Sequence, residues 1–127
     1  MPVTYVIHKG LIRARCFGHV TFPEVADHFR QLVADPECPS QLDVLLDLRD
    51  TTSIPSTEQL RAVGAEIERI RDRVRFGACA IVAGSPALFG TARVFEVIAA
   101  RGFRETQVFR GATEAEQWLA ERRTDAP

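Results

Sequence analysis

Leu42-Asp43-Val44-Leu45-Leu46-Asp47-Leu48 decides the architecture. Apolar side chains fall on both alternating faces of this stretch. That is the pattern of a strand covered on two sides, and it implies a parallel sheet with helices packed against it. Residues 76–83 repeat the pattern. Between the two lies a polar loop over 49–56, containing Pro55. Next comes a helical stretch that Ser56 or Thr57 can cap, with Leu60, Val63, Gly64, Ile67 and Ile70 as its inner stripe. The central unit is therefore strand, helix, strand.

Outward from this unit the same alternation continues. Residues 4–8 and 11–17 read as two strands joined by Lys9-Gly10, with Arg13 and Arg15 marking a wet face on the second. Thr21-Phe22-Pro23-Glu24 opens a helix to about Ala34, with Thr21 as cap, Glu24 as its capping-box partner and Pro23 in the first turn. Val25, Phe29, Leu32 and Val33 follow helical spacing, and Glu24, Asp27, His28 and Gln31 are assigned to the other side. Downstream, Ser85 and Pro86 start a helix expected to end at Gly102, and 106–109 form a short last strand. Thr113-Glu114-Ala115-Glu116 reads as a second capping box, opening a final helix with Trp118 and Leu119 turned inward. The order is ββαβαβαβα. Right-handed crossovers turn it into an α/β fold with a mixed, mainly parallel five-stranded sheet, an N-terminal hairpin and four helices. Residues 1–121 form a single domain and 122–127 a frayed tail.

Composition narrows the function classes. The 127 residues are 46% hydrophobic, enough for a real core, and 16 basic against 17 acidic residues leave a net charge of -1. No sequence-wide field favours nucleic acid or an anionic membrane. The longest apolar run, 78–83, is far short of the ~18 to 20 residues of a membrane span. Cys16, Cys38 and Cys79 are odd in number and dispersed, which indicates neither a disulfide framework nor a zinc site and points to a reducing, cytoplasmic setting. No secretory leader is evident in the first 20 residues. His8, His19 and His28 have no metal-ligand spacing, so no metal and no cofactor is assigned; all three are read as surface or satisfied residues.

The order and lengths of these pieces resemble the STAS domain, the fold of bacterial anti-sigma-factor antagonists of the SpoIIAA-like group, and in particular its small stand-alone STAS/SEC14-like members. The likeness is carried by the hairpin with Phe17-Gly18, by Leu46-Asp47-Leu48-Arg49-Asp50, by Phe89-Gly90-Thr91-Ala92-Arg93, and by Val108-Phe109 leading to Ala115-Glu116-Gln117-Trp118-Leu119. In the antagonists a Ser or Thr at the start of the helix after the third strand is phosphorylated by a partner kinase. The resemblance thus makes Ser56 and Thr57 possible phosphoacceptors. Pro55 and Glu58 depart from the family's Asp and Gly at the flanking positions, and both Ser and Thr also serve as ordinary N-caps.

Ligands of parallel sheets bind beyond the carboxyl ends of the strands. Here that brings together 49–57, 84–86 and 110–113, with Asp47, Arg49, Asp50, Ser85 and Thr113 as a candidate ligand or anion site. Gly84 to Gly90 lacks the spacing and the Lys of a phosphate loop. No catalytic set is assigned, because an enzyme built on Asp47 or Asp50 requires a base or metal that the sequence does not display. From 87 to 100 the helix is apolar over more than the usual ~100° stripe. Leu88, Phe89, Ala92, Phe95 and Ile98 are therefore candidates for a partner surface or for the wall of an apolar pocket. Two readings follow. One is a non-enzymatic STAS-like regulatory module, homodimeric or bound to a regulatory protein. The alternative is a binder of a small apolar or lipid-like ligand between helix and sheet.

Overall fold

The computed structural model of the chain describes residues 2–123. Its hairpin depends on two residues, Lys9 and Gly10, whose φ angles of 51° and 77° form the left-handed pair that a two-residue turn needs to match strand twist. They join β1 (Val3–His8) to β2 (Leu11–Gly18), paired antiparallel from Val3 opposite Cys16 to His8 opposite Leu11. The chain continues through α1 (Phe22–Ala34), β3 (Gln41–Thr51), α2 (Thr57–Arg69), β4 (Arg75–Val82), α3 (Pro86–Ile98), β5 (Glu105–Phe109) and α4 (Ala112–Arg123). Strands lie in the order β1-β2-β3-β4-β5, parallel from β2 onward. This is the expected ββαβαβαβα fold.

Each parallel crossover steps to the next strand in the same direction, so connections of one hand place α1, α2 and α3 on one face. Phe29 and Leu32 of α1, Leu60 and Ile67 of α2, and Leu88 and Phe95 of α3 share one buried core with Ile12, Val44, Cys79 and Ile81. On the other face Ala115 and Leu119 of α4 seat on Leu45, Ala78, Ala80 and Val82. Burying a leucine such as Leu119, 2% exposed, contributes about 2 kcal/mol. Small residues on β4 bring α4 close. Arg123 then donates to Asp43 Oδ2 at 2.7 Å and to the Gly10 carbonyl at 3.1 Å, tying the last helix to the hairpin turn. Asp43 Oδ1 in turn accepts from Ala78 N at 2.9 Å, where the β3–β4 register shifts.

The structure differs from the sequence reading at several boundaries. β3 runs to Thr51 rather than giving way to a loop at Arg49, because Asp50 and Thr51 pair with Phe17 and Gly18 and Thr51 Oγ1 donates to the Cys16 carbonyl. α3 ends at Ile98, short of Gly102; a Cβ at Gly102 would lie 2.6 Å from Ile67 Cγ2, so the chain needs glycine for its close pass against α2. α4 starts at Ala112, which places Thr113 inside the helix rather than at its cap, and Glu116 receives Arg13 at 2.6 and 2.9 Å instead of closing a capping box. Arg122 and Arg123 belong to α4, and the rest of the expected tail, 124–127, lies outside the described residues. Cys38, in the segment between α1 and β3, is buried at 5% exposed, and Cys16 and Cys79 are buried as well.

Candidate functional site

α1, α2 and α3 do not close completely over the sheet. A partly open cavity of about 190 Å³ remains between them. Its floor is Ile12, Ala14 and Cys16 of β2, Val44, Leu46 and Leu48 of β3, and Cys79 and Ile81 of β4. Val25, His28, Phe29 and Leu32 of α1 form one wall, Leu60, Val63 and Ile67 of α2 another, and Leu88, Ala92 and Phe95 of α3 the third. Leu46 and Leu48 belong to the middle strand of five, where full burial is the rule, yet both are only half-buried, and both front the void.

Half-buried lining residues gather where β2 and β3 give way to α1 and α2: Val20, Thr21 and Phe22 on one side, Thr51, Ser53, Pro55 and Gln59 on the other. This is the carboxyl end of the parallel strands, where ligands of such sheets enter. Local chemistry holds the rim in place. Thr21 N and Oγ1 both donate to Glu24 Oε1, at 2.9 and 2.8 Å, anchoring the start of α1. Val20 N donates to Ser53 Oγ at 3.0 Å, fastening one lip to the other. Ser56 and Gln59 exchange hydrogen bonds as the capping box of α2, Ser56 N to Gln59 Oε1 at 2.9 Å and Gln59 N to Ser56 Oγ at 3.2 Å.

The wall contains one titratable ring. His28 stands edge-on to Tyr5 at 5.3 Å and beside Phe29 at 5.5 Å, and its Nδ1 is sealed from solvent with no hydrogen-bond partner. Burial lowers its pKa to about 4, so the ring is neutral at pH 7. Tyr5 donates to Asp35 Oδ2 at 2.7 Å. Burial, together with that bond, raises the phenol to about 12, and the same hydrogen bond holds the Asp35 carboxyl below its usual range. Desolvation pushes the Cys16 thiol up to about 11 and Cys79 higher still, so both cavity sulfurs are protonated and poor nucleophiles.

The assignment of His28 to the polar side of α1 is corrected by these contacts. The signal was present, since Val25, His28, Phe29 and Leu32 fall at i, i+3, i+4 and i+7.

The other sequence candidates divide into three groups. Leu88, Ala92 and Phe95 are buried cavity wall, whereas Phe89 is half-buried with the Arg110 guanidinium 5.9 Å from its ring centroid, and Ile98 packs toward Gly64 of α2. The exposed apolar part of α3 is Val94, 45% exposed, and Val97, 78% exposed. At the carboxyl ends of β3 to β5 the structure gathers Arg49, Gly84 and Arg110, with Arg110 Nη2 donating to the Gly84 carbonyl at 2.9 Å. The two carboxylates there are paired internally. Arg49 reaches Asp47 through Nε at 3.0 Å and Nη2 at 2.8 Å, which holds the Asp47 carboxyl below its usual range, and Arg15 pairs with Asp50. Ser85 caps α3, accepting from Leu88 N at 3.1 Å, and Thr113 is exposed on α4. Ser56 and Thr57 are exposed at the start of α2. Among the described residues no three His, Cys, Asp or Glu side chains converge as a metal site, and no helix is long and apolar enough to cross a membrane.

No family model matches the chain, and no curated protein matches it. Among solved structures it is similar to an uncharacterized protein of the DUF3478 family with a SpoIIAA-like fold from Shewanella loihica PV-4. The two share 14% sequence identity and a TM-score of 0.58 over 92% of this chain and 91% of that one. With the strand order and helix placement described above, this likeness identifies the fold of the chain as SpoIIAA-like, of the STAS type.

Proposed function

We propose that the chain is a non-enzymatic STAS-type binding module that receives a small apolar ligand in the cavity between α1, α2, α3 and the sheet. The observation that carries this reading is a partly open cavity of about 190 Å³ that reaches the middle strand and extends to the carboxyl ends of β2 and β3, the end at which parallel sheets bind ligands. Ordinary interiors are close-packed, with few voids larger than a water molecule, so a space of this size under three helices calls for an occupant. The chemistry of the lining favours binding over reaction, because its two sulfurs are held protonated and its single imidazole is sealed at Nδ1.

A second reading is favoured by Val94 and Val97, which form an exposed apolar stripe on α3. Contact with a second copy or a regulatory protein would cover it. The two readings are compatible, since the buried side of α3 walls the cavity and the exposed side is available to a partner.

The test is native mass spectrometry of protein purified gently from its own host, set against the denatured mass of the same sample. A small-molecule mass that is retained natively and lost on denaturation is the expected result. A clean dimer without added mass would shift the assignment to the interaction reading. A phosphate that survives denaturation would move attention to Ser56 and Thr57.

A further inference from the structure

The charge inventory of the cavity goes further than its shape. Among the described residues that line it there is no Arg, Lys, Asp or Glu. Five of the polar side chains in the lining already hold internal hydrogen bonds. Thr21 Oγ1 donates to Glu24, Thr51 Oγ1 to the Cys16 carbonyl at 3.2 Å and Thr91 Oγ1 to the Ala87 carbonyl at 3.1 Å, while Ser53 Oγ accepts from Val20 N and Gln59 Oε1 from Ser56 N. His28 differs from these five, because its Nδ1 has no partner at all. A buried polar atom left unpaired is costly and calls for an explanation.

On the proposed reading of the cavity as a ligand site, we infer that its occupant is a compact, uncharged molecule of about one ring that carries a single hydrogen-bonding group, met by His28, and that anionic amphiphiles are rejected. First, an ionised carboxylate or phosphate placed against this wall would shed its water and find no counter-charge. Second, an apolar cavity of about 150 Å³ holds benzene, so the space here suits a monocyclic body and is too small for a long acyl chain. Third, the ring nitrogen without a partner can take a hydrogen bond from a hydroxyl or amide that reorients the imidazole on binding, and the flanking Tyr5 and Phe29 rings hold it beside the apolar body of the ligand. His28 is thus a specificity residue. The sorting of neutral from charged ligands belongs to the wall as a whole.

Three probes of nearly equal size test this: toluene, benzyl alcohol and benzoate at neutral pH. Each is titrated into the intact protein while the methyl groups of Leu46, Leu48 and Val63 and the ring nitrogens of His28 are followed by NMR. Toluene and benzyl alcohol are expected to shift the cavity methyls, with benzoate at least tenfold weaker than benzyl alcohol. Benzyl alcohol alone is expected to move the His28 Nδ1 resonance. In His28→Phe the advantage of benzyl alcohol over toluene should vanish while toluene is still bound. The nitrogen shift in the unmutated protein reads the same contact if that variant does not fold. Benzoate binding as tightly as benzyl alcohol would overturn the inference and leave the cavity reading intact. So would benzyl alcohol binding that leaves His28 Nδ1 unmoved. Failure of all three probes to shift any cavity methyl would remove the cavity reading itself, and the inference with it.

Discussion

An imidazole that is neutral in the folded chain and free to protonate in the unfolded one makes stability depend on acid, and His28 is placed to do this. Its pKa falls from 6.5 to about 4 on burial, so between those values the unfolded chain binds more protons than the folded one. Stability attributable to the neutral ring is intact above about pH 6.5 and is lost as pH falls toward 4, with a slope of at most ~1.4 kcal/mol per pH unit for one proton. Urea denaturation stepped between about pH 6.5 and 5, above the range where the carboxyls of Asp35 and Asp47 protonate, should show the slope in the unmutated protein and a smaller one in His28→Phe. At the opposite wall, Phe95 is 7% exposed and borders the cavity from α3. Phe95→Ala is expected to cost about 3 to 5 kcal/mol in the same experiment, by lost burial and an enlarged void. A loss near zero would mean that the side chain is not part of the core.

At the scale of the element, α2 offers the clearest case of local sequence dictating local structure. Ser56 satisfies Gln59 N and Gln59 satisfies Ser56 N, so the helix begins where its orphan amides find partners. Ser56→Ala should lower stability by about 1 kcal/mol, measured by thermal unfolding, without altering the fold. A much larger loss would mean that the hydroxyl does more than cap. This capping, the two-faced apolar strands and the Lys9-Gly10 turn are all local signals, which is why the element order was legible in the residues alone. Features that depend on distant partners were not. β3 runs past Arg49 because β2 lies alongside it, and Glu116 is held by Arg13, a hundred positions earlier. For the site, the residues of α3 were legible as an unusually apolar helix, and Leu88, Ala92 and Phe95 do wall the cavity. His28 and the half-buried Leu46 and Leu48 were not, because a void is what neighbouring side chains fail to fill, and no single segment encodes that failure.

Across the whole molecule, the two faces of the sheet have different tasks. One, under α4, is tightly filled by small residues; the other, under α1 to α3, holds the large core and its unfilled space. On the proposed reading, a ligand would sit between the three helices and a sheet backed by the fourth. Arg123 extends this division of labour into the time domain. Its guanidinium reaches both the hairpin turn and Asp43, a tie that links opening of the β1–β2 hairpin to undocking of α4. In hydrogen exchange, amides of β2 and α4 should open with matching free energies, and Arg123→Ala should split them, with the hairpin exchanging faster than the helix. If the two already exchange independently in the unmutated protein, the coupling is absent. Because β2 also floors the cavity, the same tie braces the base of that space from the opposite side of the sheet.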